Sequence, residues 1–313
     1  MKKQSKIFVA GGQSGLVGTA IVRNLQKKGF KNIIVKTRKE VDLLNQRAVE
    51  SFFRKEKPEY IFLAAAKVGG VWVNSTKKAD FIYDNLQIQC NVIYSSWKHK
   101  VQKLIFLGSS CIYPKLASQP IKEEYFMTGP LEPTNDAYAT AKIAGIKMCQ
   151  SFNDQYKTNF ISVMPTNLYG PNDNFDLNDS HVLPAMIRKF HEAKIKGAKD
   201  VVLWGDGSPR REFLYVDDMA DASVFLMENY NSSEIINIGC GQDQTIKKLA
   251  QLVQRIVGFK GKIVWDTTKP NGTPKKQLDV TKLFSLGWKP TVKLKDGIKK
   301  EYEWFLLHEK DVR

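Results

Sequence analysis

No apolar run in this 313-residue chain is long enough to span a bilayer, and no apolar segment at its N-terminus resembles a signal peptide. The sequence is therefore expected to be cytoplasmic, without a membrane partner. Cysteine is scarce. Cys90, Cys111, Cys149 and Cys240 show neither paired nor metal-ligand spacing, so they read as free thiols in a reducing compartment, with no metal site. No internal repeat or low-complexity linker interrupts the chain. Acidic residues are the minority charge, 32 against 48 Lys and Arg, which leaves a formal net charge of +16. A basic balance attracts anions such as nucleic acid, anionic lipid or phosphorylated small molecules. The lysines are scattered, however, and clusters such as Lys2-Lys3 and Lys275-Lys276 are short, as on a solvated surface.

The length suits one large domain or two medium ones. Near the start, Lys6-Ile7-Phe8-Val9-Ala10 reads as a buried parallel strand, and Gly11-Gly12-Gln13-Ser14-Gly15-Leu16-Val17-Gly18 follows at once. Residues 19–28 then read as an amphipathic helix. In the context strand, glycine loop, helix, Gly12 is expected to permit the tight turn. Gly15 would let the backbone approach a pyrophosphate at the helix N-terminus, and Gly18 would allow close helix–strand packing. Residues 32–38 read as the second strand. It ends in Lys36, Thr37 and Arg38 rather than an acid, which favours the extra phosphate of NADP over the ribose of NAD, with Glu40 as the opposing sign. Asp42 and Leu43 stand where a carboxylate can meet an adenine amino group; Asp42 also reads as a cap for a helix over 44–54.

Residues 60–66 and 103–107 supply a third and fourth strand, with a long helical pattern over 81–97 between them. This alternation predicts a doubly wound, Rossmann-like parallel sheet that binds its ligands outside the carboxyl ends of its strands. Ser109 and Cys111 lie at that edge. So does the helix carrying Tyr138 and Lys142, for which Asp136 is the expected cap. These two residues are four apart, hence on one helical face. An ammonium beside a phenol favours phenolate, so Lys142 is expected to lower the Tyr138 pKa and to make it a proton carrier for a carbonyl or hydroxyl oxygen. Taken alone, the pair also fits an ordinary surface helix. In the second half, Arg211 suits a diphosphate clamp and Trp204 a nucleotide wall. A surface cation and a core aromatic are their plain alternatives.

Together the parts resemble the extended short-chain dehydrogenase/reductase family of nucleotide-sugar enzymes. The strings at 62–70 (FLAAAKVGG), 79–83 (ADFIY), 106–115 (FLGSSCIYPK), 131–135 (LEPTN) and 141–147 (AKIAGIK) carry the resemblance most specifically, and it runs from the first strand to the last helix. It implies a GDP-sugar 3,5-epimerase/4-reductase acting on GDP-4-keto-6-deoxy-D-mannose with NADP(H), and a homodimer formed through helices near 81–97 and 137–156. It implies Tyr138, Lys142 and Ser109 as the reductase residues, with Cys111 as base and His181 as acid for epimerisation. Cofactor contacts are implied at Gly12, Ser14, Gly15, Leu16, Val17 and Gly18, then at Arg38, Asp42, Leu43, Leu107 and Lys142. Pro165, Asn167, Leu168 and His181 complete that set. Substrate contacts are implied at Lys189, Trp204, Arg211 and Asn271. Two positions depart from the family pattern: Asn271 where many relatives carry aspartate, and Ser14 where relatives often carry a basic residue. The implied organisation is a cofactor domain of 1–167, to which 213–238 returns, and a substrate lobe of 168–212 and 239–313. A related enzyme for another GDP-keto-sugar, of colitose or deoxyheptose type, is the alternative within the family. From the net charge, a nucleic-acid-binding protein on the same fold is the alternative outside it, though no nucleic acid partner is expected.

Overall fold

A computed structural model gives the protein's structure over residues 1–269 and 271–310; Pro270 and residues 311–313, part of the range assigned above to the substrate lobe, lie outside the described residues. The first half alternates strands and helices: β1 (Ile7–Ala10), α1 (Leu16–Lys27), β2 (Ile33–Ile34), α2 (Gln46–Glu56), β3 (Tyr60–Leu63), α3 (Val71–Thr76), α4 (Lys78–Lys98), β4 (Lys103–Leu107), α5 (Asp136–Tyr156) and β5 (Phe160–Pro165). The second half continues with β6 (Asn167–Tyr169), α6 (Val182–Ile195), β7 (Asp200–Trp204), β8 (Arg210–Tyr215), α7 (Val216–Asn229), β9 (Ile236–Ile238), β10 (Asp243–Thr245), α8 (Ile246–Val257), β11 (Lys262–Asp266), β12 (Lys275–Lys276), α9 (Thr281–Ser285) and α10 (Leu294–His308).

Six strands form one parallel sheet in the order β2-β1-β3-β4-β5-β9, the expected doubly wound α/β arrangement. Alternate side chains of each strand feed different cores. Ile7, Val9, Phe62, Ile105 and Val163 pack with Ile21 and Leu25 of α1 and Met219 and Leu226 of α7. Phe8, Ile61, Leu104 and Phe106 pack on the other face with Phe52 and Phe53 of α2, Val92 of α4 and Ile146 of α5. The chain winds to one side of β1 for β2 and then to the other for β3. That reversal opens the crevice where ligands bind in such sheets.

The second strand is shorter than the expected 32–38. Only Ile33 and Ile34 pair with β1, because residues 37–40 close into a turn of their own: Glu40 Oε2 accepts hydrogen bonds from the amide and hydroxyl of Thr37, both at 2.8 Å. The following helix begins at Gln46. Its N-cap is Asn45, which accepts from the Ala48 amide, so Asp42 is not the cap; Asp42 Oδ1 instead receives the Leu44 amide at 3.1 Å. Similarly, Asn135 rather than Asp136 is the N-cap residue of α5.

A third core lies beyond the sheet. Tyr169, Phe175, Leu183, Phe190, Phe213, Leu249, Val253, Ile298 and Phe305 gather there from β6, α6, β8, α8 and α10 and the loops between them. Strand β8 is the hinge between the two regions. It pairs with β6, with antiparallel β10 and with parallel β12. Its Glu212 is fully buried and accepts from the amides of Cys240, Gly241 and Leu278.

Candidate active site

The site is built where β4 ends. Gly108 has no room for a side chain, since a Cβ there would lie 2.5 Å from the Met164 methyl. The chain then turns through Ser109, whose Oγ accepts the Cys111 amide at 3.1 Å. The start of α5 is brought alongside by Lys78 of α4, whose Nζ lies 2.7 Å from both the Pro133 carbonyl and Asp136 Oδ1. From the N-cap of α5, Asn135 Nδ2 donates to Cys111 Sγ at 3.2 Å. One turn later, Tyr138 meets Phe81 edge-on. Another turn on, Lys142 is only 3% exposed, and its Nζ donates to the Leu107 carbonyl at 2.7 Å. Thus Ser109, Cys111, Tyr138 and Lys142 converge at one strand end.

The electrostatics correct one expectation. Burial pushes Tyr138 well above the ordinary tyrosine range; the neighbouring Cys111 adds to this, and a hydrogen bond with Ser109 opposes it. Lys142 does not bring Tyr138 down. Its ammonium lies 5.7 Å from the centre of the Tyr138 ring, and burial lowers its own pKa to about 7. Burial thus disfavours the very charge that was expected to act on Tyr138.

Cys111 behaves oppositely. Burial alone would raise its pKa, but the charge of Lys276 and hydrogen bonds with Ser109, Lys276 and Asn135 bring it below the ordinary thiol value. Lys276 Nζ lies 3.4 Å from Sγ. This lysine, read above as part of a short surface cluster, is in fact an inward-facing member of the site. Its neighbour Lys275 pairs with Asp243 at 3.4 Å. No local pattern marks Lys276, because it arrives from 165 residues away, on β12. Asn135 and Glu132 were also missed as site residues. Glu132 bonds Thr134 and Thr273 and pairs with Lys115, tying the 131–135 segment to the strap before β12. His181 is the N-cap residue of α6 and is exposed at the start of that helix. The protein walls around it lower its pKa; nearby Asp179 raises it, and Lys276 lowers it further.

The other substrate candidates divide into two groups. Burial lowers the Arg211 pKa, and the charges of Cys111 and Glu132 act against this, which puts Arg211 within electrostatic range of both. Lys189, Trp204 and Asn271 lie around β7 and the turn after it. Lys189 Nζ donates to the Val202 carbonyl on β7 at 3.3 Å. Trp204 ends that strand 55% exposed, with Lys269 Nζ 5.7 Å from its ring centre. Asn271 Oδ1 accepts the Asp206 amide at 3.0 Å, so its side chain closes the turn after Trp204.

At the cofactor edge, the role expected of Gly12 falls to its neighbour. The tight turn belongs to Gly11, at φ +85°, whereas Gly12 is the close-packing glycine, against Val22 and Val35. Gly18 does allow close approach: a Cβ there would lie 1.9 Å from the Gly11 carbonyl oxygen. Gly15, the N-cap residue of α1, has φ +81° and open space around the position of a Cβ. No side chain caps this helix and its first turn holds no acid, so Leu16, Val17 and Gly18 present amides suited to an anion. Ser14 lies in the same turn. Farther along the edge, Arg38 is largely exposed, with Nε 3.5 Å from Asp42 Oδ1. Hydrogen bonds from Thr37, then Lys36, hold the Glu40 carboxyl down at about 2, so this acid is already engaged within its own turn. The Leu43 carbonyl accepts Asn91 of α4, and Asn167 donates to the Glu212 carbonyl. Pro165 and Leu168 lie at the end of β5 and within β6, bordering the same crevice. These residues fit a phosphorylated dinucleotide.

Residues 7–239 match the NAD dependent epimerase/dehydratase family. The chain is 62% identical over 306 residues to the putative GDP-L-fucose synthase 2 of Arabidopsis thaliana, covering 98% of this chain and 93% of the relative. Among solved structures, a GDP-6-OMe-4-keto-L-xylo-heptose reductase from C. jejuni superposes with a TM-score of 0.94 at 44% identity, covering 98% of this chain and 99% of the other. A GDP-L-fucose synthetase from Naegleria fowleri bound to NADP gives 0.92 at 32% identity, with coverages of 100% and 97%.

Proposed function

As the chain belongs to the NAD dependent epimerase/dehydratase family, we propose that it is a GDP-L-fucose synthase, converting GDP-4-keto-6-deoxy-D-mannose to GDP-L-fucose by 3,5-epimerisation and NADPH-dependent 4-keto reduction. What supports this reading is a second pair of proton carriers, Cys111 and His181, both acted on by the charge of Lys276, beside the Ser109, Tyr138 and Lys142 group at the end of β4. A simple reductase needs only that group.

The C4 ketone of such a sugar acidifies the hydrogens at C3 and C5. Cys111, held toward thiolate by Lys276 and Asn135, takes the proton from carbon onto Sγ. The developing enolate oxygen at C4 is met by the hydroxyls of Ser109 and Tyr138. His181 returns a proton to the carbon from the opposite face. A depressed pKa makes its imidazolium the stronger acid, while Asp179 favours its loading. Solvent resets both groups before the second centre is inverted. NADPH, when bound, supplies the hydride for C4. Tyr138, whose pKa burial keeps high, retains its proton until the C4 oxygen becomes an alkoxide, then donates it. Lys142 fixes the nicotinamide side of the crevice from its anchor on the Leu107 carbonyl. Gly12, Ser14, Gly15, Leu16, Val17 and Gly18 would hold the pyrophosphate, with Arg38 at the 2′-phosphate. Arg211 would clamp the GDP diphosphate, and Lys189, Trp204 and Asn271 would line its nucleoside end. In this reading 1–167 with 213–238 serve the cofactor, and 168–212 with 239–313 serve the substrate.

The enzyme works as a homodimer in the cytosol. Tyr83, Tyr94 and Tyr156 leave large rings exposed on α4 and α5, where Tyr94, Trp97, Phe152 and Tyr156 stack into one outer cluster suited to a second copy. No helix among the described residues is long and apolar enough to cross a membrane, and four free thiols suit a reducing compartment.

The test is turnover of GDP-4-keto-6-deoxymannose with NADPH and, in parallel, NADH, with NMR of the product. GDP-L-fucose formed faster with NADPH is the expected result. A product reduced but not inverted would discard the roles of Cys111 and His181 and favour a reductase like the heptose enzyme above. No turnover with NADPH bound would mean a different keto-sugar.

A further inference from the structure

Beneath the loop that leads to His181, the third core contains two carboxyls that none of the chemistry above uses. Glu301 of α10 is 0% exposed, and neither of its side-chain oxygens has a hydrogen-bond partner among the described residues. The Gly170 amide approaches it without completing a bond. Asp173, just after β6, accepts the Asn174 amide at 2.7 Å through Oδ1, while its buried Oδ2 likewise has no partner. The two carboxyls lie close enough for the charge of Asp173 to act on Glu301. Three buried oxygens without donors would be costly if both groups were ionised. One proton between them supplies the missing donor.

A continuous set of short-range bonds leads from this pair to the site. Asp173 holds the Asn174 amide; Asn174 Oδ1 accepts the Asp176 amide; Asp176 Oδ1 accepts the amides of Asn178 and Asp179. The Asp176 carbonyl takes the Ser180 amide, and the Asp179 carbonyl takes the amide of Gly70 at 2.8 Å. His181 follows directly. Phe175, fully buried against Phe305, fixes the same loop to the same helix.

We propose that Asp173 and Glu301 share one proton in a carboxyl–carboxylate hydrogen bond, and that this bond is the anchor that positions the loop carrying His181. Among the described residues, the charged and titratable groups facing it are few. Tyr169 of β6 and Tyr215 of β8 lie within range of Glu301. Asp217 and Asp218 of α7 act on those tyrosines, as does Cys240 on Tyr169, and Arg23 of α1, which acts on Tyr215, is paired with Asp217 at 2.7 Å. From α10, Lys300 lies over the Tyr215 ring, and on α6 Arg188 bonds the Phe175 carbonyl and Glu192. Burial holds both carboxyls above the ordinary carboxylate range, and the Asp173 charge raises Glu301 further. The sign follows from linkage. The folded chain keeps a proton that the unfolded chain releases near pH 4, so the pair weakens the fold progressively as pH rises from there to the folded pKa, and above it the two bare charges repel. Proton sharing does not depend on the proposed reaction; the effect on turnover rests on the role given to His181.

The test compares the full-length protein with Glu301→Gln, which preserves shape and a donor but not the titration, and with Asp173→Asn. Infrared difference spectra at pH 7 should show one buried protonated carboxyl in the parent and none in either variant; its absence from the parent overturns the sharing. The melting temperature of the parent should fall as pH rises from 5 to 8, and that fall should flatten in Glu301→Gln. Parallel curves overturn the proposal, and Asp173→Asn gives the same reading if the first variant does not fold. Turnover at pH 9 relative to pH 7 should be at least threefold higher in the variant than in the parent. An unchanged ratio, with the infrared band lost, leaves the shared proton standing and overturns the positioning of His181. If GDP-4-keto-6-deoxymannose is not turned over, hydrogen exchange of amides 174–180 takes that place: faster exchange at pH 9 in the parent alone is expected, and equal exchange overturns the anchor.

Discussion

At Cys111 a thiol, a lysine ammonium and an asparagine amide meet within hydrogen-bond reach. Replacing Lys276 by methionine keeps most of the stem and removes the charge. The thiolate should then appear only at higher pH, which alkylation of Cys111 against pH would reveal as an upward-shifted profile, together with an upward-shifted acid limb of epimerisation. An unshifted profile would leave Asn135 and Ser109 as the groups that matter. Cys111→Ser should lose epimerisation while binding NADPH with unchanged affinity, as measured by nucleotide fluorescence. Retained inversion, seen as solvent deuterium entering C3 and C5, would remove the role. Tyr138→Phe should slow reduction by about 10²–10⁴-fold, the usual range for a general acid, without a change in melting temperature; full-rate hydride transfer in that variant would end its assignment as proton donor.

Elements, rather than single residues, set how closely these groups approach. α1 can reach the glycine turn only because Gly18 lacks a side chain, with the Gly11 carbonyl 1.9 Å from where a Cβ would sit. Gly18→Ala must push helix from turn. A cost of about 1–3 kcal/mol, or more, is expected from such overpacking, with NADPH affinity falling alongside. Thermal unfolding with and without NADPH measures both, and an unchanged melting temperature would mean that the turn yields easily. α5 depends on a different device. Its N-terminus is aligned by Lys78 from α4, so the helix carrying Tyr138 is held at its start by an ion pair and along its length by apolar packing.

Across the whole molecule, what could be read in the sequence follows the reach of each interaction. The unbroken apolar runs that become β1, β3, β4 and β5, buried on both faces, are local, and so is the four-residue spacing of Tyr138 and Lys142; both are visible in a few consecutive residues. The Thr37–Glu40 turn that ends β2 is local as well, but its signal is one side chain's hydrogen bonds, which strand propensity masks. That the tight turn falls at Gly11 rather than Gly12 depends on φ angles and neighbours that no spacing encodes. Lys142 was in plain view, yet its effect on Tyr138 depends on where the ammonium points, and the Leu107 carbonyl decides that. Lys276 and the Asp173–Glu301 pair were out of reach, because each joins segments more than a hundred residues apart.

The lysine that sharpens Cys111 stands on β12, which joins the fold late in the chain. Chains emerge from the ribosome N-terminus first, and early segments begin to fold before later ones exist. The sheet strands β1 to β5, with Cys111 at their edge, can therefore assemble while residue 276 is still unmade. During that interval the thiol lacks the Lys276 ammonium that helps to lower its pKa. A nascent polypeptide thus meets the charge that favours its Cys111 thiolate only late in its own synthesis.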